Sequence, residues 1–159
     1  MAPDPRKIAV EVLGELQKSQ STLNRIFEKK VDTYDLLGRD RALLNALVYG
    51  VLRWQGRLDF IISHFSTTRL NKIDAKILNI LRLGLFQIIY MDRIPNSAAV
   101  DTSVKLAKSV AAPWVAGFVN AILRNASRRL NSVPFPNKQK DPVYALAIEK
   151  SQPAWLVKR

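Results

Sequence analysis

Residues 74–91 constrain the fold more than any other stretch of this chain. Ile77, Leu78, Ile80, Leu81, Leu83, Leu85, Phe86, Ile88 and Ile89 are spaced so that, at 3.6 residues per turn, they cover nearly the whole circumference of a helix. In a soluble protein, a helix that is apolar on every side has to be surrounded by other helices. This segment is therefore expected at the centre of the molecule, with Ile77, Leu81, Leu85 and Ile88 among its most buried residues. Gly84 is the point where a neighbour can approach most closely, and Pro95 stops the segment.

A membrane span is not expected. The longest apolar stretches are interrupted by Arg, Gln or Asp, and none reaches the ~18–20 residues needed to cross a bilayer. The first residues, MAPDPRK, lack the apolar core of a secretory signal, so a cytoplasmic location is expected.

The other segments supply the neighbours. Asp4-Pro5 reads as an N-cap followed by Pro at the first helical position, with Ile8, Val12, Leu13 and Leu16 along one face. Ser21 is expected to open a short second helix with Leu23, Ile26 and Phe27 inward. A third helix from Gly38 buries Leu44, Leu47, Val48 and Val51. It is expected to bend at Gln55-Gly56 before Leu58, Ile61, Ile62 and Phe65 resume the stripe. After the central segment, Ser97 is expected to cap a helix with Val100, Val104, Ala107 and Ala111 inward. Pro113 starts another, in which Val115, Phe118, Val119, Ile122, Leu123 and Ala126 follow helical spacing. No segment alternates with period two. The fold class is all-α: a bundle of about six to seven helices around a buried central one. Two units are expected, a helical domain over residues 1–130 and an extension over residues 131–159. In the extension Pro134, Pro136 and Pro142 space a loop, and Tyr144 to Lys150 can form a short helix.

The residue inventory excludes much chemistry. The chain has no Cys and one His, so disulfides, thiol nucleophiles and Cys- or His-based metal centres are not expected. There is no Gly-rich phosphate loop, no Ser-His-Asp set and no carboxylate pair placed for acid/base work; no catalytic, cofactor or metal site is assigned. Asp40 and Asp59 read as salt-bridge partners, and His64 as a surface or capping group near a helix end.

Charge points elsewhere. Residues 1–66 carry ten basic and eight acidic groups, whereas residues 67–130 carry ten basic and three acidic, a net of +7 within the +12 of the whole chain. A surplus held in ordered helices suits a polyanion, because phosphate contacts release counterions. The candidates are Lys105 and Lys108 on one helix, with Arg124, Arg128 and Arg129 on the next. Lys72 and Lys76, before and at the start of the central helix, add further phosphate contacts. The two stripes can form one positive face or be the solvated polar sides of two amphipathic helices. Arg124, and more strongly Arg53, can instead hold structural ion pairs. Tyr49 and Trp54 could stack on bases, but their place in a buried stripe assigns them to core packing.

Five motifs in order, from LVYGVLRW (Leu47 to Trp54) through LRLGLFQIIY (Leu81 to Tyr90), Ile94-Pro95 and SAAVDTSVKLAK (Ser97 to Lys108) to FVNAILR (Phe118 to Arg124), resemble the NusB family of all-helical RNA-binding domains. Within that family the chain more closely resembles the NusB-like N-terminal domain of bacterial small-subunit rRNA cytosine-C5 methyltransferases. The resemblance implies RNA, in particular small-subunit rRNA, as partner. It also implies RNA contact at a basic N-terminal stretch, where this chain has only Arg6 and Lys7. The terminal Pro153-Ala154-Trp155-Leu156-Val157-Lys158-Arg159 resembles the step at which those enzymes pass into their catalytic region. A fragment of a larger enzyme is therefore expected, with the S-adenosylmethionine site and the reactive Cys in a catalytic domain that is also a partner of this one. The alternatives are a free transcription antitermination factor and a protein–protein docking module.

Overall fold

A computed structural model describes residues 4–135. Among them are six α-helices, α1 (Pro5–Lys18), α2 (Leu23–Thr33), α3 (Gly38–Phe65), α4 (Ala75–Tyr90), α5 (Asn96–Val110) and α6 (Pro113–Arg129), with two short 3-10 turns and no strand. Helix α4 packs against α1, α3, α5 and α6, so it is the central element that its apolar circumference demands. Ile77 and every residue from Asn79 to Gln87 are buried. Burial fades over the last turn, where Ile88 is only partly covered, contrary to expectation; there α4 reaches the rim of the bundle and Tyr90 stacks on Trp54, ring centroids 4.8 Å apart.

Close helix approach is set by two glycines. A Cβ on Gly84 would lie 2.5 Å from Ser103 Oγ and 2.7 Å from Leu123 Cδ1, so this glycine seats α4 against both α5 and α6. Gly50 makes room for the Phe86 ring at the α3–α4 crossing.

Three polar side chains of α4 lie inside the core, and each is satisfied. Arg82 Nε and Nη2 donate to the two carboxylate oxygens of Asp59 at 2.7 and 2.9 Å, and its Nη1 donates to Asn79 Oδ1 at 3.0 Å. Asn79 and Gln17 exchange amide hydrogen bonds at 3.3 Å. Gln87 donates to the Leu83 carbonyl at 3.1 Å and accepts from Arg6 Nε at 2.8 Å. These bonds tie α4 to α1 and α3. Asp59 is thus an ion-pair partner across helices.

Helix boundaries follow local chemistry, with two departures from the sequence reading. Asp4 accepts the Arg6 N–H at 3.0 Å with Pro5 at the first helical position, as expected. The cap of α2 is Thr22, not Ser21: the Ser21 N–H is engaged by Ser19 Oγ at 3.0 Å, which holds Ser21 in a turn before the helix. Helix α5 starts at Asn96 with Pro95 at its cap position and no side-chain cap, so Ser97 lies within the first turn. Helix α3 runs as a single 28-residue element through Gln55-Gly56. Beyond α6, Val133 is 6% exposed and joins the core, so packing continues past residue 130. The expectations for Pro136, Pro142, Tyr144 to Lys150 and Pro153 to Arg159 lie outside the described residues. No helix among the described residues is long and apolar enough to cross a membrane.

Candidate nucleic-acid interface

Of the nine cationic candidates, eight are exposed: Lys7, Lys72, Lys76, Lys105, Lys108, Arg124, Arg128 and Arg129. Arg6 differs. Its Nε is bonded to the buried amide of Gln87 at 2.8 Å and its Nη1 meets Asp4 at 3.4 Å, leaving the side chain 19% exposed. It pins the first turn of α1 to α4, and a ligand would have to compete with both contacts.

Three exposed lysines lie around one corner, where α1, the start of α4 and the end of α5 converge. Lys7 and Lys76 line a small cleft of ≈ 90 Å³ together with Leu106 and Val110. Adjoining it through Val110 is a wider pocket of ≈ 380 Å³, lined by Lys72, Ile77, Trp114 and Phe118 among others. Trp114 is 74% exposed and Val110 44%, so two apolar side chains that line the same pocket are left in water. The reason is positional. Helix α5 ends at Val110, two residues turn the chain, and Pro113 opens α6, so Trp114 falls in a first turn that projects past the core. Because α6 starts without a side-chain cap, the positive end of its dipole is added to this corner.

The electrostatics of the corner are decided by what the acids do. Asp74, between Lys72 and Lys76, uses Oδ2 to cap α4, accepting from the backbone N–H of Lys76 at 3.0 Å and of Ile77 at 3.3 Å. Glu11, beside the small cleft, accepts the Tyr34 hydroxyl at 2.8 Å and lies 3.7 Å from Lys30 Nζ, which also pairs with Glu15 at 3.0 Å. Partial burial would lower the Lys30 ammonium, but the hydrogen bond to Glu15 and the charges of Glu15 and Glu11 lift it above its ordinary value. The hydrogen bond to Glu11 likewise raises the Tyr34 phenol. Among the described residues, Lys7, Lys72 and Lys76 make no ion pair.

The second group is spread out. The two-residue connection folds α6 back along α5, so Lys108 lies beside the joint while Arg128 and Arg129 lie at the far end of α6. At 1.5 Å per residue the joint and Arg128 are roughly 20 Å apart along the helix. Lys108, Arg128 and Arg129 also sit in the last turns of their helices, where cations complement the dipole. Arg124 donates from Nε to Asn120 Oδ1 at 2.9 Å, an intrahelical hydrogen bond and not the ion pair considered from sequence. Arg53 lies over the Trp54 ring at 5.2 Å, and His64 is exposed with its ring edge-on to Phe65.

Sequence reasoning missed Trp114 altogether and placed Tyr49 in the core, where it is instead 41% exposed beside Phe27. For Trp114 a signal existed. Within the Pro113 helix it lies off the stripe formed by Val115, Phe118, Val119 and Ile122, and a large aromatic outside the core-facing set asks for another partner.

Comparison with known proteins bears on the chain as a whole. A probable ribosomal RNA small subunit methyltransferase B from Bacillus subtilis is 36% identical over 153 residues, covering 96% of this chain and 34% of that protein. The ribosomal RNA small subunit methyltransferase B of Pseudomonas putida is 32% identical over 155 residues, covering 98% of this chain and 34% of its own. The chain thus spans about a third of the length of these relatives. A chain from the crystal structure of antitermination factors NusB and NusE in complex with dsRNA superimposes with a TM-score of 0.71 at 21% identity, over 79% of this chain and 94% of the other, which shows a shared fold. The model describing the NusB family matches residues 3–128, from the start of α1 to the last turn of α6, and the chain belongs to that family.

Proposed function

We propose that this chain is the RNA-binding domain of an S-adenosylmethionine-dependent methyltransferase acting on cytosine C5 of small-subunit rRNA in the cytoplasm, with the chemistry carried by a catalytic domain outside these 159 residues. The observation that carries the reading is the extent of the match. The methyltransferases align over 153 and 155 residues, well past residue 128 where the family model ends, so the extension after α6 is shared with them as well. Methylation at C5 requires a thiolate to add to the ring first. This chain has no Cys, which assigns that step elsewhere. A free antitermination factor of the same fold accounts for the bundle but not for the shared extension.

Within this reading the corner around Trp114 is the RNA contact. Lys7, Lys72 and Lys76 meet phosphates, and the exposed indole offers a face on which an unpaired base stacks. The test is fluorescence anisotropy with short single-stranded rRNA segments over a range of salt. Trp114→Ala is expected to weaken binding by roughly 5- to 150-fold, the ~1–3 kcal/mol of one stacked base. Reversing Lys72 and Lys76 to Glu should lower affinity for unrelated RNAs alike and flatten the salt dependence by about one unit of slope or more. If these variants bind normally while Lys105→Glu with Arg128→Glu abolishes binding, the α5–α6 stripe is the site instead. Salt-insensitive capture of a folded protein, with no RNA affinity, would favour a docking module. Calorimetry with S-adenosylmethionine and this chain alone should show no binding.

A further inference from the structure

The chain does not leave the bundle from a free helix end. After α6 it makes the turn Leu130–Ser132, and Val133 then enters the core with φ −69° and ψ 122°, the extended conformation that a following Pro favours. Two residues later the Phe135 ring stacks on Phe60 of α3, centroids 5.5 Å apart and planes 24° from parallel, while the Arg57 guanidinium lies 4.8 Å from the same ring. Arg57 and Phe60 are three residues apart and so share one face of α3. The exit is held at two points on either side of Pro134. Its sequence, Val-Pro-Phe-Pro, is the opposite of a Gly/Ser-rich flexible linker.

We propose that Val133, seated in the core, and Phe135, stacked on α3, form a latch that fixes where the chain leaves the bundle and so restricts the reach of whatever domain follows. The occupant of the Arg57/Phe60 surface is this chain's own segment after α6. The inference rests on the reading of the chain as part of a longer methyltransferase. In that setting a fixed exit shortens the tether and narrows the range of positions in which RNA captured at the Lys72/Lys76/Trp114 corner is presented to the catalytic domain. A slack exit would present it in a spread of positions and lose the gain from tethering.

The test has two arms, so that failure of the latch and failure of the enzyme reading are told apart. In the 159-residue chain, hydrogen exchange at the Val133 amide, which donates to the Leu130 carbonyl, reports the latch. Phe60→Ala and, as a milder variant, Phe135→Leu should raise its exchange about tenfold or more, with α4 amides unchanged. Unchanged exchange at Val133 in both variants overturns the latch. In the full-length enzyme, a donor and acceptor placed on the bundle and the catalytic domain should give a broader distance distribution in Phe135→Leu. With it, kcat/KM on rRNA should fall about tenfold while RNA affinity at the Trp114 corner stays unchanged. A distance distribution and kcat/KM equal to wild type would overturn the restriction of reach even where the first arm succeeds. Loss of RNA affinity in the Trp114 and lysine variants bears only on the functional reading.

Discussion

Removing the Asp59 carboxylate is the most informative single change the interior offers. Arg82 is 8% exposed at its side chain and cannot shed its charge, and Asp59 is its ion-pair partner among the described residues. Losing one member of a buried pair costs about 3–5 kcal/mol, because the other charge stays desolvated. Asp59 is 22% exposed, so water reaches that end of the pair in part, which places Asp59→Ala near the lower limit, about 3 kcal/mol. The reverse change is milder. Arg82→Met fills the stem volume, leaves Asn79 its bonds to Gln17 and lets Asp59 rehydrate, for about 1–2 kcal/mol. Replacing the pair together, Asp59→Leu with Arg82→Met, removes both charges and should come within about 1 kcal/mol of wild type. Urea denaturation followed by far-ultraviolet circular dichroism would measure all three against a total stability of order 5–15 kcal/mol. Additive losses in the double variant, or a cost for Asp59→Ala below about 1 kcal/mol, would refute the assignment of a strongly coupled buried pair.

Further outcomes follow from packing and titration. Leu81→Ala should lose about 2–5 kcal/mol as a core cavity opens, measured by the same denaturation; a negligible loss would contradict the central role of α4. Gly84→Ala should destabilise by about 1–3 kcal/mol, since the added methyl meets Ser103 and Leu123. Gly117→Ala, in open space on α6, should stabilise by about 0.5–1 kcal/mol, and opposite signs in thermal melts would confirm the contrast. Lys30 and Tyr34 are both raised above their ordinary values of 10.5 and 10.0, so the unfolded chain releases these protons first. Their contribution is complete below pH 10 and declines above it, and Tyr34→Phe should reduce the alkaline fall of the melting temperature.

The fold was largely legible because its signals are local and repeated. The apolar circumference of residues 74–91 identified α4, and Asp4-Pro5 and Pro113 marked the starts of α1 and α6. The errors at Ser21 and Ser97 are one residue or two from the observed boundaries, where several hydroxyls compete and the backbone turn decides between them. The buried polar set was harder. Asn79, Arg82 and Gln87 sit inside an apolar helix, and their partners Gln17, Asp59 and Arg6 lie 62, 23 and 81 residues away in the sequence. No local pattern announces such pairings, although a polar residue on an all-apolar helix has to find one.

The candidate interface was legible in composition and not in location. In sequence the basic residues of the central region count equally, and residues 67–130 sum to +7. In the folded chain they differ by what reaches them. Arg82 is neutralised in the core by Asp59, Arg124 is held by Asn120, and Arg6, from the N-terminal stretch, is committed to Gln87 and Asp4. Nearby acids are engaged by other groups, Asp74 by the backbone N–H groups that open α4 and Glu11 by Tyr34 and Lys30, although the Asp74 carboxylate keeps its charge beside Lys72 and Lys76. What remains is a smaller positive surface than the net charge suggests: Lys7, Lys72 and Lys76 at the corner that adjoins the exposed Trp114, and Lys105, Lys108, Arg128 and Arg129 spread along α5 and α6. Long-range pairing decides which charges a polyanion meets. Sequence alone shows neither that the α5–α6 cations are spread along two helices nor that Lys7, Lys72 and Lys76 gather at a corner next to an exposed indole.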